Sequence, residues 1–196
     1  MTLPDKLTFF RILLTPVIFF TWYAGFYLNW IPRAASVSIW LFFIISEITD
    51  AMDGHIARKR GLVSDHGKLL DPFSDTFLRL TYFLCFTASG LMPVWAMAII
   101  LWRELSIAFM RMILLKEGIV LAANYYGKIK AILYTISGIG GLICLTLQVW
   151  QPNSSWLFRA EHLTRWLFIA SAVAALLSLC TYLHSFIKAG AQKIFK

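Results

Sequence analysis

The sequence predicts an all-α integral membrane protein with six transmembrane helices, on three observations. Of its 196 residues, 59% are hydrophobic and only 14% charged, against ~45–50% and ~25% in soluble domains. Mean hydropathy is +0.71. The apolar residues also gather into six runs, each near the ~20 residues an α-helix needs to cross a bilayer. The length suits one domain, residues 1–196, with no room for a separate soluble one.

The first run covers about residues 8–29. It is long for a signal-peptide core and lacks a clear small-residue cleavage site, so it reads as a retained helix. The second covers about 35–57, and the third starts near Pro72 and ends before Gly90. The fourth, fifth and sixth cover about 93–115, 128–150 and 163–187. Pro4, Pro32, Pro72, Pro93 and Pro152 fall near segment starts or in loops, where the missing N–H costs least. Gly138, Gly140 and Gly141 lie within the fifth run and read as close helix packing. Cys85, Cys144 and Cys180 lie in apolar stretches without paired spacing, which speaks against a disulfide or zinc framework.

The net charge is +8. Its basic residues are dispersed and flank the apolar runs, so they point to membrane orientation and to anionic lipid or phosphate, not nucleic acid. With six spans, both termini share a side with the second–third and fourth–fifth connections. That side holds Lys6, Arg58 to Arg60, Lys68, Lys116, Lys128, Lys130 and the C-terminal lysines, and the other only Arg33, Arg159 and Arg165. The positive-inside rule then puts both termini at the cytoplasmic face of the cell membrane. Trp30, Trp95, Trp150 and Trp156 lie near span ends and suit interfacial belts.

On the same cytoplasmic side lies a stretch with four acids, Asp50, Asp53, Asp71 and Asp75. Ionised carboxylates at a membrane edge are costly, so they mark a functional site by default. Helical residues advance by about 100° each. Asp50 and Asp53 therefore share a face, extended by Gly54 and Ala57, whose small side chains let a ligand approach. Asp71 and Asp75 stand one turn apart on the next helix. Two adjacent antiparallel helices would aim all four at one space. Four oxygen donors without a cysteine or histidine set suit a hard cation, Mg²⁺ or Mn²⁺, and are enough for two ions per site. Pairing with Arg58, Arg79 or Lys68 would explain isolated acids, but not four at two helical spacings with glycine between. A cation-coupled transporter would place such groups near the bilayer midplane, and these cluster at one interface.

Asp50-x2-Asp53-Gly54-x2-Ala57-Arg58-x8-Gly67-x3-Asp71-x3-Asp75 resembles the signature of the CDP-alcohol phosphatidyltransferases at every fixed position. The likeness extends to the six-helix layout, and so implies the CDP-alcohol phosphotransferase fold and a homodimeric enzyme of phospholipid synthesis. In such enzymes an alcohol attacks a phosphorus of a CDP-linked substrate and CMP leaves. The resemblance implies metal ligation by Asp50, Asp53, Asp71 and Asp75, with Asp75 also the general base. It implies CDP binding by Asp50, Asp53, Gly54, Ala57, Arg58 and Gly67. A pyrophosphate donor does need charge neutralisation, and a hydroxyl nucleophile does need a base within reach.

Three further stretches resemble the phosphatidylglycerophosphate synthase branch of that family. They are Pro4-Asp5-Lys6-Leu7-Thr8-Phe9-Phe10-Arg11, with Asp5 where an asparagine is usual, Arg103-Glu104 with Arg111, and Gly127-Lys128-Ile129-Lys130. The branch implies CDP-diacylglycerol as donor and glycerol 3-phosphate as acceptor. Arg103, Arg111, Lys128 and Lys130 together would make a cationic pocket for a phosphorylated acceptor. Lys128 and Lys130 also fit plain positive-inside anchoring, and Arg103 an internal pair with Glu104. Glu47 adds a carboxylate that the signature does not require, expected to pair with Arg11 or Arg79 or to favour a cationic acceptor. Serine, inositol phosphate and CDP-choline-type chemistry are the alternatives.

Overall fold

Hydrocarbon offers no hydrogen-bond partners, so each apolar run must satisfy its own backbone, and the helix does so locally. The computed structural model describes the backbone of residues 3–60, 65–116 and 125–194, and the side chains of residues 6–50, 52, 70–114 and 125–188. It contains α1 (Leu3–Trp22), a π-turn (Tyr23–Tyr27), α2 (Pro32–Arg60), α3 (Asp65–Ala88), α4 (Val94–Lys116), α5 (Tyr125–Trp150) and α6 (Ser155–Ile194). Among the described residues, four stretches are long and apolar enough to cross a membrane: Lys6–Tyr27, Pro32–Asp50, Tyr125–Trp150 and Ser155–Lys188. α3 and α4, at 24 and 23 residues, have the length as well, but their apolar runs are broken by Asp71, Asp75 and Arg79 and by Arg103, Glu104 and Arg111.

Two boundaries differ from the hydropathy reading. α3 begins at Asp65, so Pro72 lies inside the helix, not at its start. α6 runs 40 residues, or about 60 Å, well past the expected 163–187. Polar residues at an apolar run's edge end its hydropathy signal without ending its helix. α3 does stop where a residue free to take positive φ allows it, at Gly90 (φ 76). There the Leu91 N–H donates back to the Phe86 carbonyl at 3.0 Å.

α2 and α3 each pack closely on α1 and meet each other through long side chains, with Tyr82 Oη donating to the Ile39 carbonyl at 3.5 Å. They are antiparallel across the gap: Asp50 is opposite Asp75 through a shared partner on α1, and Phe43 meets Tyr82 edge-on at 6.1 Å. α5 packs on α6, α2 and α3, while α4 packs on α6 and α3. The central core is aromatic. Phe83 meets Tyr134 at 5.4 Å and Phe168 at 5.5 Å.

Glycines admit this packing at specific points. A Cβ on Gly25 would overlap that of Ala35, where the π-turn abuts α2. On Gly141 it would meet ring carbons of Phe86 at 2.7 to 2.8 Å. Gly141→Ala is therefore expected to cost about 1–3 kcal/mol, read as a lower melting temperature in detergent. Gly127→Ala, with nothing within 4 Å of the added carbon, should leave melting unchanged. Gly138 differs from its neighbours in lining a cavity.

Outward faces are apolar. Leu13, Val17 and Phe20 on α1, and Leu163, Trp166 and Val173 on α6, are all exposed, which in water would be prohibitive and in lipid is required. Trp30, Trp95, Trp150 and Trp156 are also exposed, each at or within two residues of a helix end. Arg33 and Arg159 stack on Trp150 and Trp156 at 5.5 and 5.6 Å. Cys85, Cys144 and Cys180 are free thiols.

Candidate active site

Three helices build the site. α2 brings Asp50, α3 brings Asp71 and Asp75, and α1 brings Arg11 into the gap between them. Arg11 is 1% exposed. Its Nη1 donates to Asp50 Oδ1 at 2.5 Å and Asp75 Oδ1 at 2.6 Å, and its Nη2 to Asp71 Oδ1 at 2.7 Å. The acids are far more open, with side chains 47%, 50% and 38% exposed for Asp50, Asp71 and Asp75. A buried cation thus anchors carboxylates whose outer faces reach solvent. Around it the helices are locked: Ser74 Oγ, fully buried between the two acids of α3, donates to the Thr8 carbonyl of α1 at 3.4 Å.

One oxygen from each of Asp50, Asp71 and Asp75 lies within 4.8 Å of the others. The donors are all carboxylate oxygens, and the guanidinium collects them onto one positive centre. That chemistry fits a hard divalent cation. The side chains of Asp53, Gly54, Ala57, Arg58 and Gly67 lie outside the described residues. The helices carry those positions onward: Asp53 to Arg58 continue α2 beyond Asp50, and Gly67 opens α3.

The counter-charge comes from an unexpected place. Of the cations that could pair with isolated acids, Arg58 and Lys68 lie outside the described side chains, and Arg79 makes no ion pair among the described residues. Arg11 holds the acids instead. One signal could have found it, since an arginine inside the first apolar run is as costly as the acids themselves. Glu47, expected to pair with Arg11 or Arg79, makes no ion pair either among the described residues.

A cavity opens beside the acids, between α2, α3 and α5. Its polar end is lined by Arg11, Glu47, Asp50, Asp75 and Arg79, and its deep end by Phe43, Tyr82, Phe86 and Leu142. None of the four cations expected at the acceptor lines it, and they do not form one pocket. Arg103 and Lys130 are buried and share Glu104: Arg103 Nη1 donates to Oε2 at 2.8 Å and Lys130 Nζ to Oε1 at 2.7 Å. Arg103 Nη2 also donates to Ser178 of α6 at 2.9 Å. Arg111 instead stacks on Tyr182 of α6 at 5.9 Å, and Lys128 is exposed. Glu104 and Arg111, seven residues apart on α4, do not pair, because the Glu104 carboxylate turns inward to Arg103 and Lys130. Lys130 Nζ and Arg79 Cζ both lie over the Tyr134 ring, at 4.5 and 5.6 Å.

Fold and site together define an integral membrane protein with an oxygen-only carboxylate centre at one end of a helical bundle. The chain belongs to the CDP-alcohol phosphatidyltransferase family, whose family model matches residues 1–179. It is accordingly a transferase of phospholipid synthesis. It is 34% identical over 157 residues to the CDP-diacylglycerol–glycerol-3-phosphate 3-phosphatidyltransferase of Treponema pallidum, covering 80% of this chain and 73% of that one. It is 36% identical over 137 residues to the enzyme of the same name from Bacillus subtilis, covering 65% and 69%. A fusion protein of Schizosaccharomyces pombe named cardiolipin synthase (CMP-forming) / mitochondrial hydrolase is 36% identical over 103 residues, 53% of this chain and 16% of that one.

Proposed function

We propose that this protein transfers the phosphatidyl group of CDP-diacylglycerol to glycerol 3-phosphate, releasing CMP and phosphatidylglycerophosphate. One observation carries the reading: a relative of that name aligns along 80% of the chain, the acidic signature included. The convergence of Asp50, Asp71 and Asp75 agrees with it.

The residues take the following roles. Asp50, Asp53, Asp71 and Asp75 hold Mg²⁺ or Mn²⁺, two per site, with Arg11 as fixed counter-charge behind them. The bound cations would supply neutralisation of the donor pyrophosphate. Gly54, Ala57, Arg58 and Gly67 hold the CDP moiety. The acceptor oxygen bonds to the phosphatidyl phosphorus, the bond from that phosphorus to the CMP oxygen breaks, and CMP departs with the electron pair. Asp75 takes the acceptor's proton during attack; its Oδ1 already accepts from Arg11, which leaves its second oxygen for that task. Arg111 and Lys128 draw the anionic acceptor to this end of the bundle, with Arg103 and Lys130 as the inner cations. The protein is a single domain with six spans, α3 and α4 included. It works as a homodimer with both termini and the acids at the cytoplasmic face. A donor whose cytidine stays in water while its acyl chains stay in lipid matches such a position.

The test gives purified protein CDP-diacylglycerol, Mg²⁺ and one acceptor at a time, and follows CMP. Release with glycerol 3-phosphate is expected, and EDTA should stop it. CMP with serine, inositol phosphate or a lipid alcohol but not with glycerol 3-phosphate would overturn the acceptor, and none with any acceptor would overturn the whole reading.

A further inference from the structure

The cavity beside the acids contains two charged side chains that the proposed chemistry has not used. Glu47 stands one turn before Asp50 on α2, and Arg79 one turn after Asp75 on α3. Both line the cavity, and neither makes an ion pair among the described residues. They sit on the inward side of the acid centre, because Phe43, Tyr82 and Phe86 carry the same lining deeper into the bundle. The signature residues Asp53 to Arg58 continue α2 in the other direction.

That placement bears on which substrate the cavity receives. Displacement at phosphorus runs in line, with the attacking and leaving oxygens on opposite sides. If CMP leaves on the Asp53–Arg58 side of the acids, the alcohol must attack from the cavity side. Arg79 and Lys130 share the Tyr134 ring, and Arg103 stands beside Lys130 on Glu104. Arg79 is the one of the three that lines the cavity, and a guanidinium is well shaped for phosphate. Glu47, as an acceptor of hydrogen bonds, suits a hydroxyl and repels a second anion.

From this we propose that Arg79 and Glu47 select the acceptor: Arg79 binds its phosphate, and Glu47 accepts a hydrogen bond from a hydroxyl other than the attacking one. The assignment rests on the reading that the acceptor is a phosphorylated polyol. It names two specificity-determining residues outside the signature and outside the cations singled out by sequence.

The experiment compares steady-state CMP release by wild type, Arg79→Met, Arg79→Lys and Glu47→Gln. The acceptors are glycerol 3-phosphate and 3-hydroxypropyl phosphate, which lacks the second hydroxyl, and melting temperatures establish that each variant is folded. Arg79→Met should raise KM for glycerol 3-phosphate by about 10- to 100-fold with the donor KM unchanged, and Arg79→Lys should recover part of it. Inorganic phosphate should inhibit wild type competitively against the acceptor and Arg79→Met far less. Glu47→Gln should reduce the preference for glycerol 3-phosphate over its deoxy analogue by about 10-fold or more. A folded Arg79→Met with unchanged acceptor KM overturns the assignment. So does a rise in donor KM alone, which would make the cavity a donor site, and so does an unaltered preference in Glu47→Gln. Wild type inactive with glycerol 3-phosphate would instead overturn the underlying acceptor reading.

Discussion

Asp75→Asn is expected to stop turnover while leaving the fold in place. The exchange is nearly isosteric, and the amide oxygen can still accept from Arg11 Nη1, which now reaches Asp75 Oδ1 at 2.6 Å. Arg11 also keeps Asp50 and Asp71, so melting should move little. What disappears is a group able to take a proton, and positioned general bases contribute about 10²- to 10⁴-fold. A cation site would lose a charged ligand as well, so the loss should lie at or beyond the upper end of that range. CMP release measures activity and thermal melting in detergent measures the fold. A folded Asp75→Asn with wild-type activity would show that the base is elsewhere. Asp75→Glu tests position separately from basicity. It keeps the carboxylate but moves it by one methylene, which in a site lined by packed helices should cost most of the rate.

The sequence made the helices and the acids legible for a plain physical reason. Apolar runs and carboxylates at helical spacing are local patterns, and both appear among the described residues, as the helices α1 to α6 and as Asp50, Asp71 and Asp75 within reach of one another. What was not legible depends on packing between distant segments. Nothing local says that α1 lies between α2 and α3, so nothing local says that Arg11 is the partner of three acids up to 64 positions away. The cations separate from one another for a related reason. Arg103, Arg111, Lys128 and Lys130 look alike in sequence. Yet burial beside Glu104 sorts out Arg103 and Lys130, and a face turned to Tyr182 takes Arg111 away. Arg79 follows Asp75 by one turn, the spacing of a local counter-ion. Its guanidinium instead lies over Tyr134, a residue 55 positions on that only α5's packing brings there. Hydropathy similarly misplaced the ends of α3 and α6, since a helix continues through polar residues once it has left the apolar layer.

Arg11→Met is expected to destabilise the metal-free protein and to make its stability more responsive to Mg²⁺. Methionine fills much of the arginine's volume, so packing loss is small and charge is what changes. Asp50, Asp71 and Asp75 would then lie with oxygens within 4.8 Å of one another and without the cation they share. Breaking a fully buried pair costs about 3–5 kcal/mol. These acids are 38% to 50% exposed, so water screens their repulsion and the cost should fall to about 2–3 kcal/mol. A divalent cation supplies the missing charge at the same oxygens. The Mg²⁺-induced rise in melting temperature should therefore be larger in Arg11→Met than in wild type, by several degrees, since about 1 kcal/mol corresponds to ~2–4 °C in a chain of this size. Arg11→Lys should fall between them, because an ammonium keeps the charge but cannot hold three carboxylates in a fixed planar fork. Melting curves in EDTA and across a Mg²⁺ series, at constant ionic strength, decide it. If Arg11→Met melts with wild type in EDTA, Arg11 does not stabilise the acid cluster. If it melts lower but gains no more from Mg²⁺ than wild type, the cation does not bind where Arg11 gathers the carboxylates.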